Sequence, residues 1–106
     1  MRLYIAGPMS GLPEWNYPAF FAAAKELRGA GYGPINPARV RAGVKCSTWL
    51  DFMRESLKDI AACDGIATLP GWVSSRGASL EVDIAKRLDL PVRSVEDWLA
   101  AKRRVA

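Results

Sequence analysis

The chain has 106 residues, half of them apolar and a quarter charged, which is the composition of one soluble globular domain covering residues 1–106. It contains no histidine, and this excludes histidine-based zinc sites, Ser-His triads and histidine acid–base chemistry. The net charge of +4 includes a basic run at residues 102–104, while the other basic residues are scattered singly. A small anionic ligand therefore suits the positive balance better than a nucleic acid does.

The chain opens with a predicted strand, a glycine-containing loop and a helix. Leu3 to Ala6 is a short apolar run typical of a buried strand, and a loop from Gly7 to Pro13 follows it. Asn16 is a candidate N-cap for the first helix, and Pro18 lies in its first turn, where a missing N–H does no harm. The glycines at 29 and 31 are expected to end this helix.

A second strand and a second helix come next. Tyr32 to Ile35 predicts a weak strand, and an irregular loop is expected from Arg39 to Cys46. Thr48 with Asp51 three residues on is a helix-start signature. Its apolar residues repeat at helical spacing and predict a helix that continues to Cys63.

The second half repeats the alternation of strand and helix. Gly65 to Leu69 predicts a third strand, and the loop at 70–77 leads into a helix from Ala78 to about Leu90. Pro91 to Arg93 predicts a short fourth strand, after which Ser94 begins the final helix.

Strands that alternate with helices predict an α/β fold with a parallel sheet and helices on both faces. Right-handed crossovers favour a small flavodoxin-like or Rossmann-like sheet in the strand order 2-1-3-4. In such sheets ligands bind beyond the carboxyl ends of the strands, where the strand order reverses. That point lies between the first and third strands, so the 7–13 and 70–77 loops are expected to face each other across one crevice.

Glu81 has an unusual position for a surface glutamate. At helical spacing it shares a stripe with Ile84, Ala85 and Leu88, and a charge beside an apolar stripe costs free energy unless it is paired. A capping-box glutamate is the structural alternative, but that motif needs Ser or Thr three residues earlier, where the chain has Ala78. Because perturbed carboxylates in clefts tend to be functional, Glu81 is a candidate catalytic residue.

Three residues near the expected crevice have both a structural and a functional interpretation. Tyr4, on the first strand, is either a core residue or a hydroxyl that reaches a carboxylate in the crevice. Asp64 opens the third strand and is either a turn carboxylate or part of the site. Trp72 is either a core residue or an exposed loop aromatic that stacks on a ligand or a partner.

The two loops contain groups that suit an anion. The backbone N–H groups at the start of a helix are free to bind one, and Ser75 and Gly77 precede the third helix. Gly7, Ser10 and Gly11 in the first loop either let the backbone approach a ligand closely or only make a turn. No Gly-x-Gly-x-x-Gly and no P-loop lysine is present, so the two large nucleotide-binding motifs are absent.

Several short motifs together resemble one family. They are Tyr4-Ile-Ala-Gly-Pro-Met-Ser-Gly-Leu-Pro13, Asn36-Pro37, Cys63-Asp64, Leu69-Pro-Gly-Trp72, Ser75-Arg-Gly-Ala78 and Leu80-Glu81. This set resembles the small phage and bacterial proteins of unknown function called DUF4406, which are usually placed beside the nucleoside 2-deoxyribosyltransferases. The resemblance extends from Arg2 to about Val92.

The wider superfamily also contains deoxynucleoside 5′-monophosphate N-glycosidases, whose Ser-x-Gly-x-x-x-Glu pattern is similar to the segment from Ser75 to Glu81. This resemblance implies that Glu81 attacks the anomeric carbon of the sugar, that Tyr4 orients Glu81, and that Asp64 belongs to the catalytic set. It also implies that the first loop and Ser75 hold the 5′-phosphate. The expected substrate-binding residues are Gly7, Pro8, Met9, Ser10, Gly11, Trp72, Ser75 and Gly77.

One position departs from the N-glycosidase pattern. Those enzymes carry a catalytic aspartate eight residues before the position of Asp64, and this chain has Ser56 there. Asp59, one helical turn on, is the available substitute for the acid that protonates the leaving base. It follows Asp51 and Glu55 at four-residue spacing, a row that also fits a solvated helix surface.

Cleavage of an N-glycosidic bond gives the sugar oxocarbenium character, which a nearby carboxylate stabilises or traps. We therefore expect cleavage or transfer at the N-glycosidic bond of a deoxynucleoside or its 5′-monophosphate. Hydrolysis of the monophosphate is preferred because Ser75 matches the phosphate-binding serine. The alternatives are a nucleotide-binding module without turnover, which sequesters a nucleotide or regulates a partner, and an interaction protein that presents Trp72 and the loops.

The remaining expectations concern location, cofactors and assembly. Cys46 and Cys63 lack metal-ligand spacing and are too few for a disulfide scaffold, so a reducing cytoplasm is expected. No apolar run approaches the ~20 residues of a membrane span and the N-terminus does not resemble a signal peptide, so we expect no membrane partner. The chemistry requires no metal and no redox cofactor. Relatives of this fold assemble as dimers or larger, which implies a homo-oligomer.

Overall fold

A sheet of four parallel strands forms the centre of the protein. The computed structural model describes residues 1–39 and 48–105, with side chains to residue 103. The strands are β1 (Arg2–Ala6), β2 (Gly33–Ile35), β3 (Gly65–Thr68) and β4 (Val92–Ser94). Their order is β2-β1-β3-β4, so the predicted α/β fold and strand order are confirmed. The loop predicted at 39–46 lies outside the described residues except for Arg39, which belongs to a helical segment at 37–39.

Four main helices connect and cover the strands. They are α1 (Tyr17–Gly29), α2 (Trp49–Ala61), α3 (Arg76–Arg87) and α4 (Val95–Val105), with short 3-10 turns at Pro13–Asn16 and Trp72–Ser74. No helix within the described residues is both long and apolar enough to cross a membrane.

The alternation of side chains along β1 divides the core into two layers. Leu3 and Ile5 are fully buried against α1 and α4. Tyr4 and Ala6 point to the opposite face, where they pack with residues of α2 and α3 such as Ile60. The helices therefore cover both faces of the sheet, as the alternating pattern predicts.

Side-chain caps fix where three of the helices begin. The Thr48 hydroxyl and the Asp51 carboxylate form the reciprocal capping box that the sequence predicts for α2. The Ser94 hydroxyl accepts the Asp97 N–H at the start of α4. Helix α3 begins at Arg76, two residues earlier than predicted, because the Ser75 hydroxyl accepts the Ala78 N–H at 3.2 Å and caps the helix.

Two predictions about the helices are wrong in detail. Asn16 occupies the N-cap position of α1, but its side chain does not cap the helix. It instead donates to the Pro8 carbonyl, and its φ is +59°. Leu88 is 54% exposed and does not share the buried stripe of Glu81 because α3 ends at Arg87.

Candidate active site

A cleft opens at the carboxyl edge of β1 and β3, where the loops that follow these two strands face each other. Strands β1 and β3 pair in register from Leu3 and Gly65 onward, so their loops leave the sheet side by side. A Cβ added to Gly71 would lie 3.4 Å from Pro8 Cγ, which shows how closely the loops approach. The predicted crevice between the 7–13 and 70–77 loops is therefore confirmed.

The cleft has a narrow inner cavity of about 60 Å³ and a wider outer cavity of about 670 Å³. Tyr4, Ser56 and Glu81 are among the residues that line the inner cavity. The outer cavity is open to solvent between the two loops and the start of α2. Both are lined by Met9, Ser10, Trp49, Ser75 and Gly77. The cavities are thus two parts of one cleft.

Glu81 lines the inner cavity, and only 6% of the residue is exposed. The Tyr4 hydroxyl, which reaches it from β1, donates a hydrogen bond to Glu81 Oε2. Ser56 Oγ on α2 lies 3.0 Å from the same hydroxyl. A phenol has one proton to donate, and an ionised carboxylate only accepts hydrogen bonds. The Ser56 hydroxyl therefore donates to the Tyr4 oxygen, and the Tyr4 hydroxyl donates to Glu81. Three elements that are distant in sequence thus hold the carboxylate.

The electrostatics of this group keep Tyr4 in its protonated form. Burial raises the pKa of Tyr4 well above its ordinary value, and the neighbouring charge of Glu81 raises it further. Tyr4 therefore remains a hydrogen-bond donor far above neutral pH. A donor of this kind offsets part of the cost of burying the Glu81 carboxylate. The predicted contact between Tyr4 and Glu81 is present, while their catalytic roles remain predictions.

Most of the residues expected to bind a phosphate line the cleft. Ser75 and Gly77 line both cavities, next to the N-terminus of α3. From the first loop, Met9 and Ser10 line both cavities, Gly7 the inner one and Pro8 the outer one. The structure therefore brings together most of the predicted substrate-binding residues.

Gly7 and Gly11 have different structural reasons for being glycine. A Cβ at Gly7 would lie 2.8 Å from the Cβ of Leu69, which follows β3. At Gly11 the φ is +79°, a Cβ would meet nothing within 4 Å, and the residue lines neither cavity. Close approach of the loops requires Gly7, whereas turn geometry favours glycine at Gly11. Its neighbours Ser10 and Leu12 line the outer cavity, and a contact of Gly11 with a ligand stays a prediction.

We expect Gly7→Ala to lower the free energy of unfolding by about 1–3 kcal/mol, because the new methyl group overpacks the contact with Leu69. Gly11→Ala should cost about 1 kcal/mol through its backbone angle alone. Gly29→Ala is the matched control, since a Cβ there meets nothing within 4 Å and its φ is not positive. Urea unfolding of the three variants measures the difference. Equal losses at Gly7 and Gly29 would contradict the steric explanation.

Two predicted site residues lie away from the Tyr4–Glu81 group. Asp64 precedes β3, at the amino edge of the sheet, where its carboxylate accepts the Arg2 N–H at 2.7 Å. Trp72 is half-buried against the core layer that contains Tyr4, and it lines a separate cavity of about 320 Å³ beside Ser94. The structure does not bring either residue to the inner cavity.

The acidic row on α2 is largely a surface feature. Asp51 and Glu55 form ion pairs with Arg54 and Lys58, and the cationic partners are mostly exposed. Burial raises the pKa of Asp59, and the charge of Glu55 raises it further. Asp59 is not among the described residues that line the inner cavity. Ser56, on the same helix, does line that cavity.

Trp49 and Arg76 are two of the cleft residues that were not predicted, and their side chains contact each other. The Arg76 guanidinium carbon lies 3.7 Å from the centroid of the Trp49 ring. A helix that follows a strand of a parallel sheet begins at the carboxyl edge, so the Thr48 cap could have placed Trp49 here. The signal for Arg76 was its position inside the Ser-Arg-Gly motif.

Comparison of the chain with known protein families supports the resemblance that its short motifs indicate. The model of the family described as a domain of unknown function (DUF4406) matches residues 1–94, so the chain belongs to this family. No curated protein was found to match it.

Proposed function

We propose that this member of the DUF4406 family binds a deoxynucleoside 5′-monophosphate and hydrolyses its N-glycosidic bond, with Glu81 as the nucleophile. The observation that carries the proposal is a buried carboxylate, held by the Tyr4 hydroxyl, that lines a cavity. Carboxylates in such surroundings are frequent in active sites. The similarity of its motifs to deoxyribosyltransferases and N-glycosidases supports the same chemistry, and transfer to another base is the related reaction.

The sizes of the two cavities suit a substrate whose parts occupy different cavities. The inner cavity of about 60 Å³ has room for part of a sugar but not for a whole nucleoside. The outer cavity of about 670 Å³ falls within the usual range for small-molecule sites, ~300–1,000 Å³. In the proposed complex the anomeric carbon reaches Glu81, while the base and the phosphate occupy the outer cavity.

The proposed reaction proceeds in two steps. A Glu81 carboxylate oxygen forms a bond to the anomeric carbon, and the bond to the base nitrogen breaks with its electron pair leaving on the base. Water then attacks the same carbon, the bond from that carbon to Glu81 breaks and restores the carboxylate, and the proton released by the water ends on the departed base. Tyr4 keeps Glu81 oriented through both steps by its hydrogen bond.

The direct test is to incubate the protein with a panel of deoxynucleoside 5′-monophosphates and deoxynucleosides and to measure the free base released. Release from at least one monophosphate supports the proposal. Release of no base from any of them contradicts it.

Ser75→Ala is expected to weaken binding of a monophosphate about ten- to a hundredfold, the value of one hydrogen bond to a charged group. Binding of the unphosphorylated nucleoside should hardly change. Since Ser75 also caps α3, the variant loses about 1 kcal/mol of stability. Ser94→Ala is the matched control because it removes the cap of α4 away from the cleft. Calorimetric titration decides, and equal losses for nucleoside and monophosphate would leave Ser75 as a capping residue only.

A second function is favoured by one observation. Ser56 lines the inner cavity where the similar N-glycosidases carry a catalytic aspartate, so the described cavity lacks that acid. A nucleotide-binding module that does not turn over its ligand fits this substitution. It predicts tight, reversible binding of a monophosphate with no free base, which the same incubation distinguishes. We further propose that the protein is cytoplasmic. The family resemblance also suggests a homo-oligomer, and light scattering would measure the mass of the assembly.

A further inference from the structure

The mouth of the outer cavity contains a stacked pair of side chains that the proposed reaction does not use. Trp49 is the first residue of α2, and Arg76 is the first residue of α3. The Arg76 guanidinium carbon lies 3.7 Å above the centroid of the indole, within the range of a strong cation–π contact. Both side chains line the outer cavity. We refer to them as the Arg76–Trp49 pair.

The charge that lines the outer cavity is positive. Among the described residues that line it, Arg76 is the only charged side chain, and the others are apolar or small. Within residues 1–39 and 48–103, no carboxylate forms an ion pair with Arg76. An aromatic ring holds a guanidinium by its face and leaves the N–H groups at its edge able to bind an anion. The cavity therefore combines a positioned cation with the hydroxyls of Ser10, Ser74 and Ser75.

We propose that Arg76, positioned by Trp49, acts together with Ser75 to select phosphorylated over unphosphorylated ligands at this cleft. The inference rests on the proposed function for the identity of the ligand, a nucleoside 5′-monophosphate. Ser75 contributes a hydroxyl that already accepts the Ala78 N–H, whereas Arg76 contributes a full charge and a fork of donors that matches two phosphate oxygens. Arg76 thus adds its charge to the phosphate contact of Ser75 and does not act on the glycosidic bond.

The test compares Arg76→Gln with the wild type in calorimetric titrations of a deoxynucleoside 5′-monophosphate, the corresponding deoxynucleoside and ribose 5-phosphate. We expect Arg76→Gln to weaken both phosphorylated ligands about ten- to a hundredfold, the effect of losing a charge-assisted bond. Binding of the deoxynucleoside should stay within about twofold, because it makes no such bond. Arg87→Gln is the matched control. It removes the same charge from the far end of α3, where Arg87 pairs with Asp83 and is mostly exposed.

A second pair of variants tests the role of the ring. Trp49→Leu should keep the charge of Arg76 but lose its fixed orientation, so it should weaken the monophosphate less than Arg76→Gln does. Arg76→Lys should recover only part of the affinity, since an ammonium neither stacks nor binds two oxygens in a fork. Full recovery by lysine would show that a point charge suffices and would overturn the positioning by Trp49.

The proposal is overturned if Arg76→Gln and Arg87→Gln weaken the monophosphate equally, if the nucleoside is weakened as much as the monophosphate, or if the wild type does not prefer the monophosphate. Its failure and that of the proposed function are distinguishable. Arg76-dependent selectivity without any release of base would contradict the hydrolase and leave the inference standing. Release of base that depends on Glu81 but does not change in Arg76→Gln would support the hydrolase and contradict the inference about Arg76.

Discussion

Glu81→Gln is expected to lower the release of base by several orders of magnitude while the protein remains folded and binds its ligand. The amide has nearly the shape of the carboxylate, and its carbonyl oxygen can still accept the Tyr4 hydrogen bond. It is, however, a poor nucleophile and carries no charge to stabilise an oxocarbenium ion. The loss should therefore appear in kcat and in kcat/KM to the same extent, as for a group that acts in the transition state.

The control for this experiment is Glu55→Gln, which makes the same chemical change on the surface of α2, where Glu55 pairs with Lys58. It should leave the rate unchanged. Single-turnover measurements with bound monophosphate separate the chemical step from binding. A Glu81→Gln protein that releases base at the wild-type rate would remove Glu81 from the mechanism.

Ser56→Asp is expected to raise the rate of base release by about 10²- to 10⁴-fold, the usual contribution of a general acid. Ser56 lines the inner cavity, and its hydroxyl lies 3.0 Å from that of Tyr4. A carboxyl group there would share its surroundings with Glu81, and the repulsion of two carboxylates raises the pKa of one of them. The protonated partner could then donate to the leaving base, and the gain should fade as the pH rises through its pKa.

Ser56→Asn is the matched variant because it has the shape of aspartate without the acid. A nucleotide with an N7-methylated purine is the matched substrate, since its base departs without an added proton. The gain should be absent with asparagine and small with the methylated substrate. An equal gain with Ser56→Asn would mean that a change in shape, and not an acid, is responsible.

Most of the fold follows from local patterns in the sequence. Each signal for a strand or a helix spans only a few consecutive residues: an apolar run, a glycine between runs, or a cap such as Thr48 or Ser94. The right-handed crossover rule then gives the order of the strands. The meeting of the two loops followed from that order. The early start of α3 was missed because Ser75 was interpreted as a ligand contact, although serine is also among the strongest N-caps.

The site was predicted less completely because its contacts join distant segments. Glu81 stands out locally as a charge in an apolar stripe, whereas Tyr4 in a strand also fits core packing, and its link to Glu81 was predicted from the family resemblance. Asp64 lies at the head of β3, at the edge of the sheet opposite the loops, and its catalytic role, which follows from sequence similarity alone, stays a prediction. The pairing of Trp49 with Arg76 depends on how α2 and α3 are placed side by side, which no local pattern encodes.

The hydrogen bonds of Tyr4 also bear on how the chain folds. They connect β1 to α2 and α3 across 52 and 77 residues. An intermediate that packed α3 on the sheet before β1 was in place would bury the Glu81 carboxylate without this donor, at a cost of about 1–3 kcal/mol. The missing hydrogen bond therefore raises the free energy of such partly assembled states. The polar group in the cleft therefore makes the assembly of the two halves of the sheet more cooperative.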